Sequence, residues 1–254
     1  MIPHTIHYCW FGYHSKPRLI RKCIASWKKY LPDWEIIEWN EANYDVTQNK
    51  YIMEAYRQKK WAFVVDYARF DILNRFGGVF LDTDVELLKP IPEEILAYEA
   101  FTGFESEKTV NPGLVYSSIS GQAMLERVME AYQKREFGQK INGRPENIVD
   151  VVTGVLKKQG LQENNTFQVV NGVAVFPKEY FCCFDHETQS FEVTDQTISV
   201  HHYFASWSPW YRKLYFRCIK LASAALGKDR YLRWKRKIKK DGIKTKDPED
   251  QNNQ

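Results

Sequence analysis

A run of three apolar residues, Val79-Phe80-Leu81, is bounded by Gly77-Gly78 on one side and by Asp82-Thr83-Asp84 on the other. So short a run between turn formers reads as a buried strand. Two carboxylates, one residue apart, then leave its carboxyl end. In an open α/β sheet that end faces the crevice where ligands bind. Unpaired carboxylates beside an apolar strand are costly unless a cation or hydrogen bonds compensate them. Hard oxygen donors of this kind suit Mg²⁺ or Mn²⁺, which bridge to nucleotide phosphates.

The residues around this strand alternate between strand and helix patterns. Residues 2–9 and 34–39 read as strands. Residues 17–30 read as a helix with Leu19, Ile20, Cys23, Ile24 and Trp27 on one stripe, and 49–57 and 60–76 as two more. Alternation of this kind implies an α/β fold with a mainly parallel sheet. Further strands are expected at 100–104, 114–117 and 197–201, and helices at 122–134 and 145–158. Asn171-Gly172, between apolar residues 167–170 and 173–176, signals a tight hairpin.

The chain has 254 residues, 44% of them hydrophobic and 27% charged, which excludes a disordered or fibrous protein. No apolar run reaches the ~18–20 residues that span a bilayer. No leader precedes residue 2, and the five cysteines are odd in number without C-x-x-C spacing. The expectation is a soluble, cytoplasmic protein with reduced thiols.

The net charge of +4 is unevenly spread. Residues 209–246 carry 14 Lys/Arg against Asp229 and Asp241, a net of +12. The last eight residues carry −3, so residues 1–208 hold −5. Apolar residues in the tail recur at 3–4-residue spacing, and Tyr231 and Trp234 lie among cations. A basic amphipathic helix with aromatic anchors suits an anionic membrane surface at the cytoplasmic face, and the alternative is a C-terminal helix packed on the body with a solvated basic face. Nucleic acid is not an expected partner, because the body is acidic and no binding motif is present.

The ordered set of motifs resembles the glycosyltransferases with a D-x-D sugar-binding region, family 32, which include bacterial capsular polysaccharide enzymes. The matching stretches are Ile2-Pro3-His4-Thr5-Ile6-His7-Tyr8-Cys9-Trp10-Phe11-Gly12, Ser26-Trp27 through Trp39-Asn40, and Ala62 to Asp84, which contains Asp66-Tyr67-Ala68-Arg69-Phe70-Asp71-Ile72-Leu73, Gly77-Gly78 and the aspartate pair. Thr153-Gly154 and His201-His202-Tyr203-Phe204-Ala205-Ser206-Trp207 match later blocks. One departure is Val155, where the family's pattern continues with proline.

The resemblance implies a GT-A-type, Rossmann-like catalytic domain over residues 1–208. A basic helical tail follows over 209–246, with frayed residues at 247–254. It implies metal-dependent transfer of a hexose, with retention, from a nucleotide-sugar (a UDP-sugar) to a saccharide acceptor carried on a lipid. Trp10 would contact the nucleobase, or serve as a core aromatic, and Asn40 would bond the nucleoside, or serve as a cap or turn residue. Asp66 and Arg69, three apart on one helix face, would serve the donor sugar and phosphate. Asp84 would hold Mn²⁺ or Mg²⁺ directly, and Asp82 would bind the ribose or the metal through water. His201 would be a further ligand, with His202 as the alternative, since strand alternation lets one of the two face the site. Ser206 and Trp207 would close over the diphosphate. Asn111, Asp150, Thr153 and Gly154 would line the sugar and acceptor side.

Two other readings remain open from sequence. A haloacid-dehalogenase-like phosphatase also places D-x-D after an apolar strand, but its signature wants Thr or Val where Glu86 stands. A non-catalytic docking module could use the basic tail, but it would not need the full Asp66, Arg69, Asp82, Asp84 and His201 set.

Overall fold

The computed structural model describes residues 1–138, 140–141, 144–145, 147–185, 187–204 and 210–240. Its elements, in order, begin with β1 Thr5–Cys9, α1 Arg18–Tyr30, β2 Glu35–Trp39, α2 Lys50–Arg57, α3 Trp61–Phe76, β3 Gly78–Phe80, β4 Val85–Leu87 and α4 Glu93–Leu96. The chain continues through β5 Ala100–Gly103, β6 Tyr116–Ser118, α5 Ala123–Gln133, β7 Lys140–Ile141, β8 Arg144–Pro145 and α6 Ile148–Lys158. Then come β9 Gln168–Val170, β10 Val173–Phe176, α7 Lys178–Phe181, β11 Phe184–Asp185, β12 Ser190–Phe191 and β13 Ser199–His201, and last α8 Trp210–Leu226 and α9 Lys228–Lys240.

Seven strands form one sheet in the order β2-β1-β3-β6-β5-β10-β9. Five of them run the same way, while β6 and β9 are reversed. This is the mixed, mainly parallel α/β sheet expected from the alternating pattern. Side chains alternate across it, as the two-residue period of a strand requires. Phe80, Val173 and Val175 face one core with residues of α2, α3, α5 and α6. Val79, Ala174 and Phe176 face the other, with Trp27 of α1, Ile95 and Leu96 of α4 and Phe181 of α7. Helices therefore cover both faces, and β3 lies between β1 and β6 near the middle.

Local chemistry explains several boundaries. Asn49 caps α2 by accepting from the Tyr51 N–H at 2.7 Å. Gly78 takes φ +104°, and a Cβ there would meet the Thr5 carbonyl oxygen at 2.7 Å. Only glycine lets β3 start so close to β1. Asn171 and Gly172 both have positive φ, as the expected hairpin turn between β9 and β10 demands.

The strand expected at 197–201 is present at Ser199–His201. Its residues form β13, which pairs antiparallel with β4 outside the main sheet, in the register His201↔Val85 and Ser199↔Leu87. All five cysteines are free, four of them buried. No helix among the described residues is long and apolar enough to cross a membrane.

Candidate active site

The chain leaves β3 at its carboxyl end through Leu81 and reaches Asp82, then turns so that Val85 N–H bonds the Asp82 carbonyl at 3.0 Å. β4 follows at once, and its pairing with β13 brings His201 against Asp84. His201 Nε2 lies 3.1 Å from Asp84 Oδ1. The other oxygen, Asp84 Oδ2, accepts the Phe204 N–H at 2.8 Å. One carboxylate thus ties together two segments about 120 residues apart in sequence.

Asp82, Asp84 and His201 each offer a donor atom, and these atoms lie within 4.8 Å of one another. Asp82 Oδ1 also accepts from Nη2 of Arg69, whose side chain is 1% exposed. Behind Asp82 stands Gly113, in the turn before β6. A Cβ there would come within 2.7 Å of Asp82 Oδ2. A side chain at Gly113 would therefore displace the carboxylate.

The electrostatics follow from this packing. Burial pushes the Asp84 carboxyl up, but the His201 imidazole and the Phe204 N–H outweigh it and hold the group at about 2. Asp82 is raised, because burial prevails over Arg69 and His201. Asp66 is raised by burial to about 7, with Arg69 opposing. Burial works against the His201 cation, but Asp84 more than offsets it and the net shift is upward.

The residues present fit a divalent cation. Two carboxylates and an imidazole are a donor set for Mn²⁺ or Mg²⁺. Among the described residues, His201 Nδ1 is buried with no hydrogen-bond partner, as are Nε and Nη1 of Arg69. Buried polar atoms without partners are uncommon in proteins, and three of them cluster at this site.

These residues line a cavity of about 600 Å³ that also holds Trp10, Asp66, Trp61 and Asn111. The Trp10 indole N–H donates to the His14 carbonyl at 2.6 Å, which fixes the ring. Asn111 Oδ1 accepts the Gly113 N–H at 2.7 Å, and its amide donates to Glu105 Oε1 at 2.9 Å. Tyr203 donates to the same Glu105 oxygen at 2.8 Å, in the left-handed backbone region at φ +48°. Glu105, Tyr203, Trp61 and Gly113 were not singled out from the sequence. The Asn111-Pro112-Gly113 turn signal was the one cue available for the last of them.

Four expected site residues are not among those that line the cavity. Asn40 is absent from the cavity lining; its Oδ1 accepts from the Ala42 N–H at 2.9 Å and closes the turn after β2. Asp150 completes a capping box with Asn147 at the start of α6. Thr153 bonds both backbone groups of Val110 and fastens α6 to the loop after β5. Gly154 faces open space and lines no part of the cavity. Of the two histidines, His202 turns away and meets Glu86 at 2.8 Å. Ser206 and Trp207 lie outside the described residues.

The family profile described as capsular polysaccharide synthesis protein matches residues 1–134, more than half of the chain. The chain belongs to that capsular polysaccharide synthesis family. The match spans β1 to α5 and so includes Asp66, Arg69, Asp82 and Asp84. It agrees with the likeness to capsule-type glycosyltransferases drawn from the motifs.

Solved structures with a distant likeness include the PaToxG glycosyltransferase, 15% identical at a TM-score of 0.47, covering 63% of this chain and 70% of that one. A glycosyltransferase involved in glycosylation of the major capsid of PBCV-1 is 12% identical at a TM-score of 0.46, covering 84% and 98%. A197 from STIV is 14% identical at a TM-score of 0.26, covering 48% and 67%. No curated protein matches the sequence significantly.

Proposed function

We propose that this capsular polysaccharide synthesis family member is a metal-dependent, retaining glycosyltransferase of GT-A type. It would move a hexose from a UDP-sugar to a lipid-linked saccharide at the cytoplasmic face of the membrane. The observation that carries this reading is the cluster of Asp82, Asp84 and His201 at the carboxyl end of the central strand, beside a cavity of about 600 Å³. The donor nucleotide and the stereochemistry rest on the motif resemblance.

Asp84, Asp82 and His201 would hold Mn²⁺, for which the imidazole is the better match. The bound cation would supply Lewis-acid stabilisation of the departing diphosphate. The chain's own groups do the rest. Arg69 lines the cavity beside Asp82 and would lend its positive charge to the phosphates. Asp66, raised to about 7, lines the same cavity and would meet a sugar hydroxyl. Trp10 gives a fixed aromatic surface for the base. The phosphatase reading is weakened by Arg69, because a nucleophilic Asp82 would be engaged by that ion pair.

The test is UDP release from a panel of UDP-hexoses in the presence of Mn²⁺. Turnover of at least one sugar, lost in Asp84→Ala, is expected. A well-folded protein inert towards every UDP-hexose and GDP-hexose would overturn the reading.

A further inference from the structure

We propose that α8 and α9 form a surface that lies on an anionic lipid bilayer, with their outward faces in the headgroup region. This stands independently of the glycosyl-transfer reading, because it rests on the helices alone.

The inward side of α9 is fixed by the body. Lys228 pairs with Glu192 and lies 3.0 Å from Asp185, on the two strands β12 and β11 or their flanks. One turn on, Tyr231 is buried, and Lys235 reaches Glu187 at 4.0 Å. Spacings of three and four put these three residues on one face. The opposite face carries Arg230, Arg233, Trp234 and Lys237, all exposed, with Trp234 at 52%.

α8 shows the same division. Ser223 is buried, and Phe216 and Ile219 beside it are partly buried. Tyr211, Leu214, Cys218, Leu221 and Ala225 recur at spacings of three and four on another face, and every one is exposed. Leu214 is 52% exposed and Leu221 62%, high values for leucines that form a continuous stripe. Arg217 and Lys220 flank that stripe and are exposed too.

Charge decides what covers this surface. Residues 210–240 hold 12 Lys/Arg against Asp229, a net of +11. A second copy would set two such surfaces against each other, whereas acidic headgroups complement them. An exposed apolar stripe flanked by cations, with a Trp at its edge, is the composition of a helix that lies in the bilayer interface.

Placement ties the surface to the site. Phe204 lines the cavity, and Trp210 opens α8 six residues later. A chain of that length spans at most about 20 Å. The cavity would therefore open close to the membrane plane, within reach of an acceptor anchored there.

The experiment is flotation of the full chain with vesicles of phosphatidylcholine alone or with one quarter phosphatidylglycerol. Binding to the anionic vesicles is expected to be at least tenfold stronger and to weaken in 0.5 M NaCl. It should be lost in Leu214→Glu/Leu221→Glu and in Arg230→Glu/Arg233→Glu/Lys237→Glu, both melting at the wild-type temperature. No binding, or equal binding to neutral vesicles, overturns the proposal, and neither result depends on how the variants fold. A dimer in light scattering that the Leu214→Glu/Leu221→Glu change dissociates would give the stripe to a second copy and also overturn it.

Discussion

Asp84 and His201 meet at 3.1 Å because two three-residue strands, β4 and β13, pair antiparallel outside the main sheet. The contact is made by register. Val85 stands opposite His201, so the carboxylate just before β4 faces the imidazole at the end of β13. Their mutual attraction holds Asp84 ionised at about 2 and raises His201, even though burial opposes both charges.

His201 and His202 should therefore behave differently. His201→Ala is expected to weaken Mn²⁺ affinity by at least about tenfold. His202→Ala, which removes the 2.8 Å contact with Glu86, should leave that affinity unchanged. Titration of Mn²⁺ by electron paramagnetic resonance reads both.

Gly113→Ala is a steric probe of the same site. The added methyl would lie 2.7 Å from Asp82 Oδ2 and 2.9 Å from Asn111 Oδ1. The carboxylate must move, and we expect metal-dependent nucleotide binding to fall at least about tenfold, in line with the sensitivity of sites to small displacements. The melting temperature should fall only slightly, because the clash is with side-chain ends.

Arg69→Met tests the buried ion pair. It leaves Asp82 without its cationic partner and is expected to cost about 3 kcal/mol in urea unfolding. Because Asp82 is already raised by burial, the loss should shrink in acid as the carboxyl takes up a proton.

His7 provides a pH signal away from the site. Its Nε2–H donates to the Gly77 carbonyl at 2.9 Å and its Nδ1 accepts from Trp39 at 3.1 Å. Burial pushes it down to about 4, from 6.5. Between those values the unfolded chain binds a proton that the folded chain does not, so stability falls as pH drops from 6.5 and levels off near 4. The full effect is about 3 kcal/mol, and His7→Gln should flatten that part of the pH profile.

Much of this was legible before any coordinates. Asn171-Gly172 gave its hairpin because positive φ at two successive residues leaves few choices. The strand ending in Asp82 was legible because two glycines and two aspartates bound a purely apolar run. Trp10, Asp66, Arg69 and Asn111 do meet around one cavity, as the motif resemblance implied.

The expected residues that the cavity lining leaves out have local partners. Asn40 and Asp150 are polar residues at a turn and a helix start, and their own backbone claims them first. The Asn147-x-x-Asp150 spacing was itself readable as a capping box. Thr153 spends its hydroxyl on Val110. The choice between His201 and His202 could not be read from alternation, because the register against β4 decides it, and that pairing spans more than 110 residues with no local signal.

The most direct test is calorimetric titration of UDP, with and without Mn²⁺, into the wild-type protein and Asp84→Ala. The account predicts UDP binding that requires Mn²⁺ and disappears in the variant. UDP binding equally tight without Mn²⁺, or unchanged in Asp84→Ala, would contradict it.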